Sequence, residues 1–117
     1  MELNELDRYL LEKPGTDRGT PFGPEVWVYK VLGKMFALTS WENNPLSVNL
    51  KCDPDLAQNL RATYEAVTPG YHMNKEHWNT IIQDGTVPED EFMKMIDHSY
   101  DLVVKKLKKS DREKLGK

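Results

Sequence analysis

The sequence predicts a two-layer α+β domain, in which helices gather on one face of a mostly antiparallel five-stranded sheet. Three observations support it. Residues 26–52 contain three short strand-like segments separated by turn residues. Residues 2–12, 54–66 and 88–108 place apolar side chains at helical spacing. Residues 71–83 return to a strand-like composition, so the predicted order is α-β(3)-α-β(2)-α.

Length and composition favour one soluble domain. A chain of 117 residues can bury a core of its own, and 38% hydrophobic beside 30% charged residues is typical of globular proteins. The lone Cys52 excludes an internal disulfide framework and fits a reducing, cytoplasmic environment. We expect no membrane association, because no apolar run approaches the roughly 20 residues of a membrane span. The acidic, amphipathic start does not resemble a signal or transit peptide.

The first helix is predicted over residues 2–12, where three leucines recur at helical spacing. Pro14 and Gly15 end it. Residues 16–24 are rich in glycine and proline, and we expect a loop there.

Three strands should follow. Residues 26–31 are rich in β-branched and aromatic side chains, and Gly33 turns the chain into residues 34–41. The third strand alternates strictly between apolar and polar side chains, Leu46, Val48, Leu50 and Cys52 against Ser47, Asn49 and Lys51. Such alternation indicates an antiparallel sheet with one face buried and the other in water.

Asp53 and Pro54 predict the start of a second helix over residues 54–66, since aspartate caps helices and proline suits the first turn. A hairpin is expected next, formed by residues 71–73 and 77–83 around a short turn.

The spacing of Thr86 and Glu89 matches a capping box and predicts a third helix over residues 88–108. Its apolar stripe includes Ser99, which we expect to allow close packing against the sheet. With all helices on one face, the other face should carry the polar half of each strand. For the last strand we expect His77, Asn79 and Gln83 on that polar face, with Trp78, Thr80 and Ile82 towards the helices.

Charge is uneven along the chain. The net charge is −3, yet residues 105–117 carry seven basic and two acidic side chains, so this end is at +5 and the rest near −8. We therefore divide the chain into a domain over residues 1–108 and a basic tail over residues 109–117. A basic tail on an acidic body can contact phosphates or an acidic partner. The favoured interpretation is a solvated helix end whose cations complement the helix dipole.

The residue types that bind metals or act as catalytic nucleophiles do not occur in any known motif spacing. His72 and His77 are five apart and His98 lies in a predicted helix, which matches no zinc-ligand spacing. Cys52 is typical of a small buried hydrophobe, and no nucleophile elbow or phosphate-binding glycine loop occurs. We expect no metal, no cofactor and no enzymatic activity.

Four segments resemble a known family. Residues 30–37 (KVLGKMFA) and 50–54 (LKCDP) resemble the first half of the MmcQ/YjbR family. Residues 69–78 (PGYHMNKEHW) and 99–103 (SYDLV) resemble its second half, so the resemblance spans nearly the whole chain. It implies a small bacterial protein with an α-β(3)-α-β(2)-α fold, similar to type III secretion chaperones and described as CyaY-like.

Members of this family are commonly described as DNA-binding, through a pair of hairpin wings. Carried onto this chain, the resemblance implies contacts from residues in and beside the hairpins, namely Lys34, Lys51, Tyr71, His72, Asn74, Lys75 and His77. The family brings no catalytic residues. The acidic total opposes nonspecific DNA affinity unless cations cluster on one face, because counterion release needs clustered cations.

Two functions therefore stay open. One is a nucleic-acid-binding module with DNA as ligand. The other is a protein-interaction module or homodimerising adaptor, as a secretion-chaperone-like fold allows. A positive strip joining Lys34, Lys51, Lys75 and the tail favours nucleic acid, whereas scattered lysines favour a protein partner. An enzyme or small-ligand binder would need a deep pocket lined by His72 or His77.

Overall fold

The computed structural model describes residues 1–70 and 73–116. Within them, four helices and six strands follow one another along the chain. The helices are α1 (Leu3–Leu11), α2 (Pro54–Thr63), α3 (Glu89–Lys105) and α4 (Lys109–Lys114). The strands are β1 (Thr16–Gly19), β2 (Val26–Val31), β3 (Lys34–Ser40), β4 (Ser47–Lys51), β5 (Val67–Pro69) and β6 (Trp78–Ile82). None of the helices in these ranges is long and apolar enough to cross a membrane.

All strands join one antiparallel sheet in the order β1-β2-β3-β4-β6-β5, which confirms the α+β fold. The sheet has six strands instead of five, because residues 16–19, expected as loop, pair with β2 at one edge. Three of these four residues are exposed. An exposed edge strand needs no apolar side chains, so composition gave no strand signal.

Strands β2 and β3 are joined by a two-residue turn at Leu32 and Gly33. Both have positive φ, 45° and 85°, as a type I′ hairpin turn requires. Glycine adopts this conformation freely, whereas Leu32 does so at a steric cost. The turn brings Lys34 to the end of the sheet.

The core lies between the helices and one face of the sheet. Helix α1 contributes two fully buried leucines, Leu6 and Leu10, and α3 contributes a continuous apolar stripe. That stripe consists of Phe92, Met95, Ile96, Tyr100, Val103 and Val104. These side chains cover Tyr29, Val31, Ala37, Val48, Leu50 and Ile81 of the sheet. The helices thus share one face, as predicted.

The face prediction for β6 is wrong. This strand pairs with β4 so that Thr80 lies opposite Asn49, and Asn79 opposite Leu50. Trp78, Thr80 and Ile82 therefore share the open face, the face of the sheet without helices, and Asn79 faces the helices. Both the odd-numbered and the even-numbered residues of β6 include apolar side chains, so the sequence pattern does not show which set faces the helices. An error of one residue in the assignment moves every side chain to the opposite face.

The two residues that flank β6 also lie on the helix side. His77 lines a depression with Leu102 and Lys105 at the end of α3. The Oε1 atom of Gln83 accepts a hydrogen bond from the amino group of Met1, ahead of α1 (3.5 Å). Their expected place on the open face is therefore wrong as well.

The open face is also less polar than predicted. Val28, Leu38 and Trp78 form a small buried cluster there, with Val26, Met35 and Met73 packed against it. The polar residues of β4 and β6 occupy only part of this face. This side of the sheet therefore has a second apolar surface without helical cover.

The strand that pairs with the outer edge of β6 is β5, which precedes the strand predicted over residues 71–73. Helix α2 ends at Thr63, because Tyr64 has extended dihedral angles (φ −123°, ψ 121°). The chain then forms β5, in which Val67 pairs with Ile81 of β6. Tyr71 and His72 lie outside the described residues, and Met73 belongs to the loop between the two strands.

Of the two predicted helix starts, the cap of α2 is confirmed and the capping box of α3 is wrong. Asp53 caps α2 as predicted, accepting hydrogen bonds from two backbone N–H groups of its first turn. The capping box at α3 is wrong, because Pro88 is the N-cap residue and makes no side-chain cap. Thr86 instead donates its hydroxyl to Asp84 (2.6 Å) in the preceding turn.

Candidate nucleic-acid interface

Two lysines of the predicted set meet at one end of the sheet. Lys34 begins β3 and Lys51 ends β4, and these strands are antiparallel neighbours in which Ala37 pairs with Leu50. Both lysines line one depression, of about 360 Å³, together with Lys106 just after α3. The fold thereby joins positions that are far apart in sequence.

A neighbouring depression continues this positively charged surface. Lys51 and Lys106 line it as well, together with Lys105 and His77. We call Lys34, Lys51, His77, Lys105 and Lys106 the cationic cluster. The cluster lies at the end of the sheet, beside the C-terminal turn of α3.

The cluster is not neutralised internally. Among the described residues, none of its four lysines forms an ion pair. Burial, and secondly the positive charge of Lys106, lower the pKa of Lys51. Asp53 lines the second depression, but its carboxylate accepts the N–H groups at the start of α2. The arrangement can therefore attract an external anion.

Ser99 fixes the backbone beneath this cluster. Its hydroxyl donates to the carbonyl oxygen of Phe36 (2.6 Å) and accepts from the backbone N–H of Lys51 (2.9 Å). Ser99 is fully buried. The small side chain confirms the predicted close approach of α3 to the sheet. It also ties the ends of β3 and β4 to the helix, and so positions Lys51.

The loop before β6 is attached to the same end of the sheet. The backbone N–H of Cys52 donates to the carbonyl oxygen of His77 (2.7 Å). Arg61 of α2 donates from Nη2 to the carbonyl oxygen of Lys75 and from Nε to Oδ1 of Asn79 (2.7 Å). Arg61 is a residue that sequence reasoning missed, because nothing in the pattern of α2 distinguishes it from a solvated arginine.

Of the remaining predicted residues, the structure describes Asn74 and Lys75, which line neither depression. Asn74 and Lys75 are exposed in the loop before β6, where the Asn74 carboxamide accepts the N–H of Glu76 (2.9 Å). Asn74 borders the open face and not the two depressions. Tyr71 and His72 lie outside the described residues, so the structure does not place them.

A groove of about 540 Å³ lies on the open face beside the cluster. We call it the open-face groove, and its apolar walls are Phe22, Val26, Met35, Leu38, Met73 and Trp78. Phe22 is 64% exposed. Because Trp78 pairs with Lys51, the groove ends at the cationic cluster.

Cys52 lies under the cluster as a buried thiol. Burial, and secondly the charge of Asp53, raise its pKa to about 11. The thiol is therefore protonated at neutral pH, and its nucleophilicity is low there. No group of three or more potential metal-ligating side chains occurs within residues 1–70 and 73–116.

The fold and site together define a small α+β domain with helices on one side, an open sheet face and lysines at the sheet's end. Comparison with known proteins makes the assignment specific. The sequence profile of the YjbR family matches residues 11–102, and the chain belongs to that family.

Relatives and crystal structures agree with this assignment. The uncharacterized protein YjbR of Escherichia coli K12 is 33% identical over 115 residues, which covers 98% of both chains. The uncharacterized protein YbdF of E. coli O157:H7 is 37% identical, covering 92% of this chain and 88% of that one. A crystal structure of the Deinococcus radiodurans protein DR2400 matches with a TM-score of 0.92 and 39% identity, covering 98% of this chain and 88% of that one.

Proposed function

We propose that this protein binds nucleic acid, with DNA as the ligand, through the cationic cluster. The observation that carries the proposal is the convergence of Lys51 and Lys106. Both lysines line the same two depressions, and neither is paired with a described carboxylate. A chain of net charge −3 has no structural need for such a concentration of like charge.

Two neighbouring elements extend the positive surface. The β2–β3 hairpin carries Lys34 at its end, in the manner of a wing. The end of α4 lies near the turn of this hairpin, because the side chains of Leu115 and Leu32 both lie against Gly15. The basic residues of α4 can therefore add to the positive charge at this end of the molecule. Lysines of this kind act as point charges on phosphate, which positions a duplex without reading its sequence.

The test is fluorescence anisotropy of a labelled duplex of about 20 base pairs over a series of salt concentrations. We expect measurable binding at low salt that weakens steeply as salt is added. Replacing two lysines in Lys51→Gln/Lys106→Gln should lower the slope of log affinity against log salt by about 1.8, if each lysine contacts one phosphate.

The matched control is Lys94→Gln. Lys94 is an exposed lysine of α3 that pairs with Glu91 (3.3 Å) and lines neither depression. Its loss changes net charge without touching the cluster. An unchanged slope in the double variant, or an equal reduction in the control, would refute the proposal.

The open-face groove supports a second candidate, the binding of a protein segment. Methionines adapt to varied side chains, and Met35 and Met73 lie in its walls. Since the groove ends at Lys51, its complement is a segment with apolar residues followed by acidic ones. Such a peptide should bind the wild type and lose affinity with Phe22→Ser. Binding that ignores this change would remove the second candidate.

A further inference from the structure

A separate cavity lies on the other side of the sheet. It has a volume of about 190 Å³ and lies between α2, α3 and the helix-facing side of β4 and β6. Most of its wall is apolar, formed by Leu50, Leu56, Leu60, Ile81 and Met95. Lys51 and Cys52 line both this cavity and the neighbouring depression of the cationic cluster, whereas the other members of the cluster do not line the cavity.

One buried polar side chain in this wall lacks a partner. Asn79 is 1% exposed, and its amide nitrogen Nδ2 makes no hydrogen bond within the part of the chain that the structure describes. Its Oδ1 accepts from Nε of Arg61 (2.7 Å). Because arginine can only donate, this contact fixes the orientation of the amide and turns Nδ2 away from Arg61. A buried unpaired donor is costly, which makes its position in a cavity wall informative.

His98 is a second polar residue of the same wall. Its Nε2 accepts the backbone N–H of Asp53 (3.2 Å). In the neutral ring the proton is then on Nδ1. Glu91 and Lys94 also line the cavity, but they pair with each other (3.3 Å). The unpartnered Nδ2 of Asn79 therefore favours an acceptor, and the apolar majority of the wall favours a hydrocarbon body.

We infer that this cavity binds a small molecule with a short apolar chain that ends in a carbonyl or carboxylate oxygen, held by the Nδ2 atom of Asn79. The volume corresponds to about six water molecules, so a ligand has on the order of eight non-hydrogen atoms. A ligand of this size should bind with a dissociation constant on the order of 1 mM.

The test is an NMR titration of the folded full-length chain with three probes of equal length: hexanoate, hexanamide and hexylamine. The two oxygen-bearing probes should shift the Asn79 side-chain NH₂ resonance and the Ile81 and Met95 methyl resonances. Hexylamine should not, because it brings an unmatched donor. Stronger binding of hexanoate than of hexanamide would assign the site to carboxylates, and the reverse order to neutral carbonyl groups.

Asn79→Asp is the decisive variant. It keeps an acceptor for Arg61 but replaces the free donor by a carboxylate oxygen, so hexanoate affinity should fall at least about tenfold. The matched control is Asn49→Asp, in the neighbouring strand and on the open face, which should leave hexanoate binding unchanged. Leu56→Trp should fill the cavity and abolish binding of every probe.

Three results would overturn the inference: no shift with any probe in the wild type, equal binding of the amine, or hexanoate affinity that Asn79→Asp leaves unchanged. These outcomes are independent of DNA binding, because the probes are monitored at Asn79, Ile81 and Met95, away from the cationic cluster.

Discussion

The two faces of the sheet differ in what covers them. The helix side buries a large core to which α1 and α3 both contribute, whereas the open side has only the cluster of Val28, Leu38 and Trp78. The helix side is closed by hydrogen bonds such as those of Ser99. The open side ends in unpaired lysines. Buried apolar packing is thus concentrated on one face, and the proposed binding surface lies at the end of the other.

A matched pair of leucines tests this difference and should give the largest effect. Leu50 on the helix face is 1% exposed, and Leu38 on the open face is 8% exposed. Leu50→Ala should lower the free energy of unfolding by about 4 kcal/mol, and Leu38→Ala by about 2 kcal/mol. Urea denaturation measures both. Equal losses would show that the open face is as tightly packed as the core.

Ser99→Ala should have the next largest effect. It leaves the Phe36 carbonyl and the Lys51 N–H without their partner, which should cost about 2 kcal/mol of unfolding free energy. The control is Ser47→Ala in the neighbouring strand, at a half-buried site, with an expected change within about 0.5 kcal/mol. A loss at Ser99 no larger than at Ser47 would remove its role as a tie between helix and sheet.

A smaller effect concerns pH. Burial, and secondly a hydrogen bond to Asp97, raise the pKa of Tyr9 from 10.0 to about 12. The folded state therefore holds this proton where the unfolded chain has lost it. The resulting stabilisation is complete below pH 10 and is lost as pH rises towards 12.

Chemical denaturation between pH 9 and pH 12 measures this loss as a decrease in the free energy of unfolding. The size of the decrease follows from the difference between the pKa of Tyr9 in the folded and the unfolded chain. Tyr9→Phe removes the ionising group, so its stability should decline less over the same interval. A decline identical to that of the wild type would assign the alkaline sensitivity to other groups, of which Tyr29, whose pKa is also raised by burial, is the first candidate.

The sequence predicted the layers of the fold but not its edges. Strict alternation in β4 and the periodic stripe of α3 determine two layers, and both are present. The strand β1 gave no signal because its side chains are exposed. In β6, both the odd-numbered and the even-numbered residues include apolar side chains, so the sequence did not show which set faces the helices. The pairing with β4 determines it.

The site was predicted in part, for a similar reason. Of the residues that the resemblance implied, Lys34, Lys51 and His77 line the two neighbouring depressions, while Asn74 and Lys75 line neither. Their contact with DNA stays a prediction. Lys105 and Lys106 belonged to a recognised basic run, but only the packing of α3 places them beside Lys51. The cavity at Asn79 could not be predicted, because Asn79 was assigned to the opposite face.

The most direct test of the central claim is amide NMR of the ¹⁵N-labelled protein titrated with duplex DNA. We expect the largest shift changes at Lys34, Lys51, His77, Lys105 and Lys106, and we expect added salt to reverse them. Changes confined to the open-face groove, or none at the cationic cluster, would contradict the assignment of nucleic-acid binding to these lysines.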